Sequence, residues 1–244
     1  MIDFVGIGAQ KAGTTWLYKR LSMHPNIYFP KGKEIHYFDR LPASSNNMKP
    51  YADIFSNSHF YSQNKFKVGE ITPEYAIIPE ARIALLKSYA PKTKIFYSVR
   101  DPANRLWSAV KMHKILQQKD IRNLNITEII NIAKSSNFID QCDYPANIKR
   151  WRKHFDKNSL CIIQFENFSI HPYRVLKRVA AHIGIDADFY DLIPPKAIAP
   201  PVFTGHKAAM PAEVRRKFIE ILEPVISSME EELSTDLSSW RRVD

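Results

Sequence analysis

An apolar run from Asp3 to Gly8 is followed at once by Gln10, Lys11, Ala12, Gly13, Thr14, Thr15, Trp16, Leu17, Tyr18 and Lys19, and this junction constrains the chain more than any other stretch. A strand that feeds a glycine-bearing loop and then a helix gathers unpaired backbone N–H groups, and the positive end of a helix dipole, around one point. Phosphate or sulfate binds at such points. A Walker A loop sets its lysine directly after the second glycine, where it reaches the terminal phosphates of a nucleoside triphosphate, and follows it with a hydroxyl for magnesium. Gly8 and Gly13 keep that spacing, but Thr14 holds the lysine position and Lys11 lies inside the loop. The segment reads as an anion cradle of a different kind.

A second segment supplies another cation. Lys94 to Val99 is a β-branched and aromatic run that ends at Arg100-Asp101-Pro102, and Asn104 to Val110 continues with helical spacing. Pro102 suits the first turn of that helix, so Arg100 projects from the carboxyl end of a buried strand and Ser108 lies about two turns along. An arginine with a downstream serine can grip one phosphate.

Together these segments resemble the family of sulfotransferases that use 3′-phosphoadenosine-5′-phosphosulfate (PAPS). The resemblance implies that Lys11, Ala12, Gly13, Thr14, Thr15 and Trp16 form the phosphosulfate loop, and that Arg100 and Ser108 hold the 3′-phosphate. Lys33-Glu34-Ile35-His36-Tyr37-Phe38-Asp39 is similar to the acidic and aromatic motif of the heparan sulfate sulfotransferases and bacterial carbohydrate sulfotransferases. In that motif the residue matching Glu34 is the catalytic base. His36 is the rival base, as a group that titrates near neutral pH. On an extended segment the two would point the same way, Glu34 being preferred on motif match. Glu70-Ile71-Thr72-Pro73-Glu74-Tyr75 also resembles the family, and Asp39, Glu70 and Tyr75 are the expected acceptor-site residues. Ile71 departs from the polar residue that glycosaminoglycan enzymes often carry after this glutamate.

Length and pattern bound the architecture. At 244 residues the chain suits one α/β domain, 1–244, able to bury about 70% of its unfolded surface without metal or disulfide. Strands are expected over Phe4–Ile7, Lys67–Gly69, Lys94–Val99 and Leu160–Gln164. Helices are expected over Thr14–Met23, Glu80–Tyr89, Ala103–Gln117, Ile126–Ala133, Pro145–His154 and Tyr173–Ile183. Alternating strands and helices predict a mainly parallel sheet flanked by helices, here the P-loop-like sulfotransferase fold, with ligands at the strands' carboxyl ends. Pro42 to Asn57 reads as a polar, mobile loop, and Ile193 to Pro201 as too proline-rich for regular structure. Cys142 and Cys161 are expected to be free thiols, Cys161 as a small core residue.

The C-terminal part reads as a loop, Val202 to Lys207, followed by a helix that begins with a proline. The resemblance implies that Gly205, His206 and Lys207 close over the nucleotide. Arg215, Arg216 and Lys217 read as a solvated helix face, and Trp240 as a packing anchor. His24, His113, His154 and His182 lack partnering spacing and read as surface or satisfied histidines.

The net charge of +10 suits an anionic ligand. Dispersed basic residues and buried apolar strands argue against a noncatalytic nucleic-acid module, and the displaced lysine against a P-loop nucleotide kinase. No signal-peptide pattern and no spanning apolar run occurs in the sequence as given, so a cytoplasmic chain without membrane insertion is expected. The resemblance thus implies sulfuryl transfer from PAPS, without metal, to a hydroxyl or amine. The acceptor is expected on a small molecule or glycan, a carbohydrate being preferred over a non-carbohydrate metabolite.

Overall fold

The structure, a computed structural model, describes residues 2–42, 45–56, 66–117, 120–134, 137–198 and 208–243. Five parallel strands build its sheet: β1 (Phe4–Gly8), β2 (Ile27–Tyr28), β3 (Lys67–Ile71), β4 (Lys94–Val99) and β5 (Leu160–Gln164), in the order β2-β3-β1-β4-β5. The helices are α1 (Thr14–Leu21), α2 (Tyr37–Arg40), α3 (Lys49–Ser56), α4 (Glu80–Tyr89), α5 (Pro102–Leu116), α6 (Ile126–Lys134), α7 (Tyr144–Arg152), α8 (Asn167–Ile170), α9 (Pro172–Ile183), α10 (Pro195–Ile198) and α11 (Ala212–Leu233). The expected parallel α/β arrangement is the one observed.

Strand composition explains why the sheet lies inside. Phe4, Val5 and Ile7 of β1 and Ile95, Phe96 and Tyr97 of β4 are all buried, the one hydroxyl among them, that of Tyr97, accepting the Asn147 side-chain amide inside the protein. Two apolar layers cover the two faces. One gathers Val5, Ile7, Tyr97 and Ile162 with Trp151 of α7 and Ile226 and Met229 of α11. The other packs Phe4, Phe96 and Ile163 against Leu17 of α1 and Leu176 and Val179 of α9. No helix among the described residues is long and apolar enough to cross a membrane.

With β1 flanked by β3 on one side and β4 on the other, the order in which strands are added reverses at the sheet's centre while all of them stay parallel. In a sheet of this kind that reversal opens a crevice at the carboxyl ends. Residues 10–16, 34–39 and 72–77 and Arg100 all follow from these strand ends.

Two expectations are corrected here. The polar stretch Pro42 to Asn57 contains α3, whose Tyr51 and Phe55 are fully buried one turn apart. The aromatic contacts of Tyr51 with Phe55 and with Phe38 give that helix a reason to dock. The proline-rich stretch also forms one helical turn, α10, in which Pro195 takes the first position and needs no N–H partner.

Candidate active site

The loop after β1 is shaped by backbone as much as by side chains. Lys11 and Gly13 both take left-handed φ values, 68° and 80°, so the chain coils between strand and helix and Gly13 sits as N-cap of α1. A side chain at Gly13 would also collide, since its Cβ would lie 2.6 Å from Phe168 and 2.7 Å from Phe165. The amides of Thr14, Thr15 and Trp16 occupy the first turn of α1, where a helix offers N–H groups without an internal acceptor. Ala12 is buried, and its carbonyl oxygen accepts the Ser98 hydroxyl of β4. The Trp16 ring is stacked on Phe168 at 4.9 Å, so this residue presents its amide to the loop and its indole to the core.

Arg100 meets that loop directly. Its Nη1 donates to the Lys11 carbonyl oxygen at 3.0 Å, and its guanidinium lies 4.5 Å over the Phe165 ring. A buried arginine one and a half turns later, Arg105, donates through Nε to the Gln10 carbonyl oxygen at 2.9 Å and through Nη1 to the Phe138 carbonyl oxygen at 2.6 Å. Its Nη2 is buried with no hydrogen-bond partner among the described residues. Burial lowers the Lys11 pKa, and the positive charges of Arg100, Arg105, Lys111 and Lys33 lower it further. Burial also lowers the Arg100 pKa, against the opposing pull of Glu166. Cations held this close together are stabilised by an anion placed among them. Ser108 stands half-buried on α5.

The Glu34 segment stands beside the same rim. Glu34 and His36 both adopt left-handed backbone, at φ 68° and 57°, so the expected extended geometry is replaced by a coiled one. The two side chains still converge, with His36 Nε2 3.9 Å from Glu34 Oε2. His36 Nδ1 lies 2.8 Å from Asp39 Oδ2, and Glu34 pairs with Lys33. Glu34 is the most open of the group, its side chain 44% exposed.

Beneath that segment lies a hydroxyl-lined carboxyl. Glu70 has no exposed surface; Tyr51 OH donates to its Oε1 and Thr72 Oγ1 donates to its Oε2 at 2.8 Å. Burial raises the Glu70 pKa to about 7 despite those bonds. Tyr75, also without exposed surface, accepts the amide of Tyr37 on its hydroxyl at 2.9 Å, while the Glu34 amide donates to the Ile71 carbonyl oxygen at 2.9 Å. Glu70 and Tyr75 therefore support residues 34–38 from below, whereas Asp39 stands beside His36.

Sequence reasoning passed over Arg105, Lys111 and Glu166, although Arg105 and Lys111 follow Arg100 on the helical strip that Ser108 marks. Arg215 corrects an expectation: it is buried on α11 and pairs with Asp101 at 2.9 Å. Trp240 is buried as expected, and Cys142 and Cys161 are free and buried. Gly205, His206 and Lys207 lie outside the described residues. The four histidines expected to be surface or satisfied each have a partner: His24 and His182 bond the carbonyls of Asp186 and Ile95, His113 contacts Gln117, and His154 contacts Glu80.

A parallel sheet with helix N-terminal amides behind its first strand, and an arginine from the neighbouring strand's end bonded to the same loop, defines an α/β protein whose first loop lacks the Walker lysine. The sulfotransferase domain family matches residues 2–195, and the chain belongs to that family. It is 25% identical over 209 residues to the bifunctional heparan sulfate N-deacetylase/N-sulfotransferase 4 of Mus musculus, covering 75% of this chain and 22% of the relative. It is 34% identical over 103 residues to the membrane-associated sulfotransferase kil1 of Dictyostelium discoideum, covering 42% of this chain and 21% of that protein. The chain thus spans about a fifth of the length of these relatives. A sulfotransferase from Alicyclobacillus acidocaldarius shares the fold at a TM-score of 0.75 and 22% identity, over 99% of both chains. A mouse sulfotransferase complexed with PAP shares it at 0.55 and 14% identity, over 92% of this chain and 84% of that one.

Proposed function

We propose that the chain transfers a sulfuryl group from PAPS to a hydroxyl or amine, with a carbohydrate or glycoconjugate as the preferred acceptor. The observation that carries this reading is the Arg100 Nη1 bond to the Lys11 carbonyl, which joins the two cationic segments into one site. The residues fit such a polyanion: Lys11, Arg100 and Arg105 crowd together, and among the described residues Arg105 Nη2 is a buried donor without a hydrogen-bond partner. Naming of one relative as a heparan sulfate N-sulfotransferase supports a glycan or amine acceptor, and the PAP complex of a fold neighbour supports the donor.

When bound, the donor supplies a sulfuryl group on an activated phosphate. Lys11 and the amides of Thr14, Thr15 and Trp16 would offset the negative charge that gathers on the departing phosphate oxygen. Arg100 and Ser108 would hold the 3′-phosphate and so fix the reacting end in line with the acceptor. Glu34, the most open carboxylate of its segment, would take the proton from the attacking hydroxyl or amine while the acceptor's oxygen or nitrogen bonds to sulfur and the sulfur–oxygen bond to the departing phosphate breaks. His36, oriented by Asp39, keeps the place of second base. Asp39 would also face the acceptor, with Glu70 and Tyr75 acting through the segment they support.

Incubation with radiolabelled PAPS and a panel of sugars, amino sugars and small phenols tests this reading. Label moving to an amino sugar or sugar is expected; ATP turnover without any sulfuryl transfer overturns it in favour of a kinase. Glu34→Gln is expected to keep PAP affinity and lower turnover about 100-fold to 10,000-fold.

A further inference from the structure

Lys111 follows Ser108 by three residues on α5, so at about 100° per residue the two side chains leave neighbouring strips of the helix. The long lysine is held in place. Its Nζ donates to the Ala208 carbonyl oxygen at 3.2 Å and lies 5.8 Å from the centroid of the Trp107 ring. Trp107 Nε1 donates to the same carbonyl at 3.1 Å, which fixes that acceptor against the helix. Lys111 also belongs to the cation group around the loop: burial and the Arg100 guanidinium lower its pKa, and its own charge lowers that of Lys11.

Charge matching gives this position a use. A phosphate monoester carries about −1.5 to −2 near neutral pH. Arg100 brings one positive charge, part of which the nearby carboxylates Glu166 and Asp101 offset. A second cation on the Ser108 strip would balance the rest.

We infer that Lys111 is a further ligand of the nucleotide's 3′-phosphate, forming with Arg100 and Ser108 a three-point grip that selects 3′-phosphorylated adenosine over its unphosphorylated counterpart. The inference rests on the PAPS reading above. It assigns donor specificity to a residue outside the Arg100–Ser108 motif.

Calorimetric titration of the full chain with PAP and with adenosine 5′-monophosphate tests it, using the wild type, Lys111→Met and Lys111→Arg. Loss of one charge-assisted contact predicts PAP binding about 10-fold to 100-fold weaker in Lys111→Met. Affinity for adenosine 5′-monophosphate should stay within about 2-fold, because only the 3′-phosphate contact is lost, and Lys111→Arg should recover most of the PAP affinity. Lys111→Gln, which keeps a donor for the Ala208 carbonyl, replaces the methionine variant if that one melts early. Unchanged PAP affinity, or an equal loss for both nucleotides, overturns the inference and leaves Lys111 a packing residue. A wild type that prefers PAP beside an unresponsive variant sinks this inference alone. A wild type with no preference for PAP sinks the donor reading along with it.

Discussion

Arg100 donates to the backbone of Lys11 while its charge lowers the pKa of the same residue's ammonium, so one pair is at once fastened and mutually repelled. The repulsion is relieved when an anion lies between them, and the fastening ensures that both are in place when it arrives. Arg100→Met is accordingly expected to weaken PAP binding at least about 100-fold. Arg100→Lys should restore only part, since an ammonium has no planar fork to bond a carbonyl and a phosphate together. Calorimetry with PAP reads both, and near-wild-type affinity in Arg100→Met would refute the assignment.

Gly13→Ala should damage both fold and site. An alanine there must take a left-handed φ of 80° and set a methyl against Phe165 and Phe168. The combined strain is about 2 kcal/mol or more, a fall of about 4–8 °C in melting temperature for a chain of this size. Thermal denaturation by circular dichroism measures it.

Glu70 makes stability depend on pH in a known direction. Its pKa rises from an ordinary 4.5 to about 7 on folding, so between those values the folded chain holds more protons than the unfolded one. Stability from this group is complete below about pH 4.5, falls as pH rises, and is gone above about pH 7, a span of about 3 kcal/mol. Glu70→Gln removes the titration, so the wild type's melting advantage over the variant should shrink from pH 5 to pH 8. An advantage that grows over that range would contradict the burial argument.

Arg215→Met should destabilise the chain by about 3–5 kcal/mol, because it leaves the buried Asp101 carboxylate without its cation. Arg215 also donates to the carbonyl oxygens of Trp240 and Arg242, so the same change should release the C-terminal turn from α5. Asp101 caps α5 through the amides of Ala103 and Asn104. Denaturant unfolding measures the loss, and faster proteolysis after Leu237 marks the released turn.

Much of this arrangement is legible in the sequence because it depends on local rules. β1, β4 and β5 are apolar runs followed by turn or cap residues, and α5 begins where Asp101 and Pro102 supply a cap and a first-turn proline. β2 was missed because Ile27 and Tyr28 make two residues, too few to show a period. α3 was missed because Tyr51 and Phe55, the only residues of that helix that are buried, are hidden among polar neighbours. Arg215 looked solvated because nothing in the run Arg215-Arg216-Lys217 reveals that a carboxylate 114 residues earlier faces one of the three. The coil at Glu34 and His36 was equally hidden, since two left-handed non-glycine residues are held by the tertiary bonds to Ile71 and Tyr75 and by no local preference.

Because every strand runs the same way, the loop after β1 and the Glu34 segment reach a common rim by separate routes, that loop being the cradle of the reading proposed above. The cradle hangs from β1 and β4; residues 34–38 are moored through amides of Glu34 and Tyr37 to the end of β3 and the turn behind it. On the reading proposed above, that division makes acceptor choice interchangeable: a grafted cassette from Lys33 to Asp39 could redirect the product while the cofactor grip goes on unaltered.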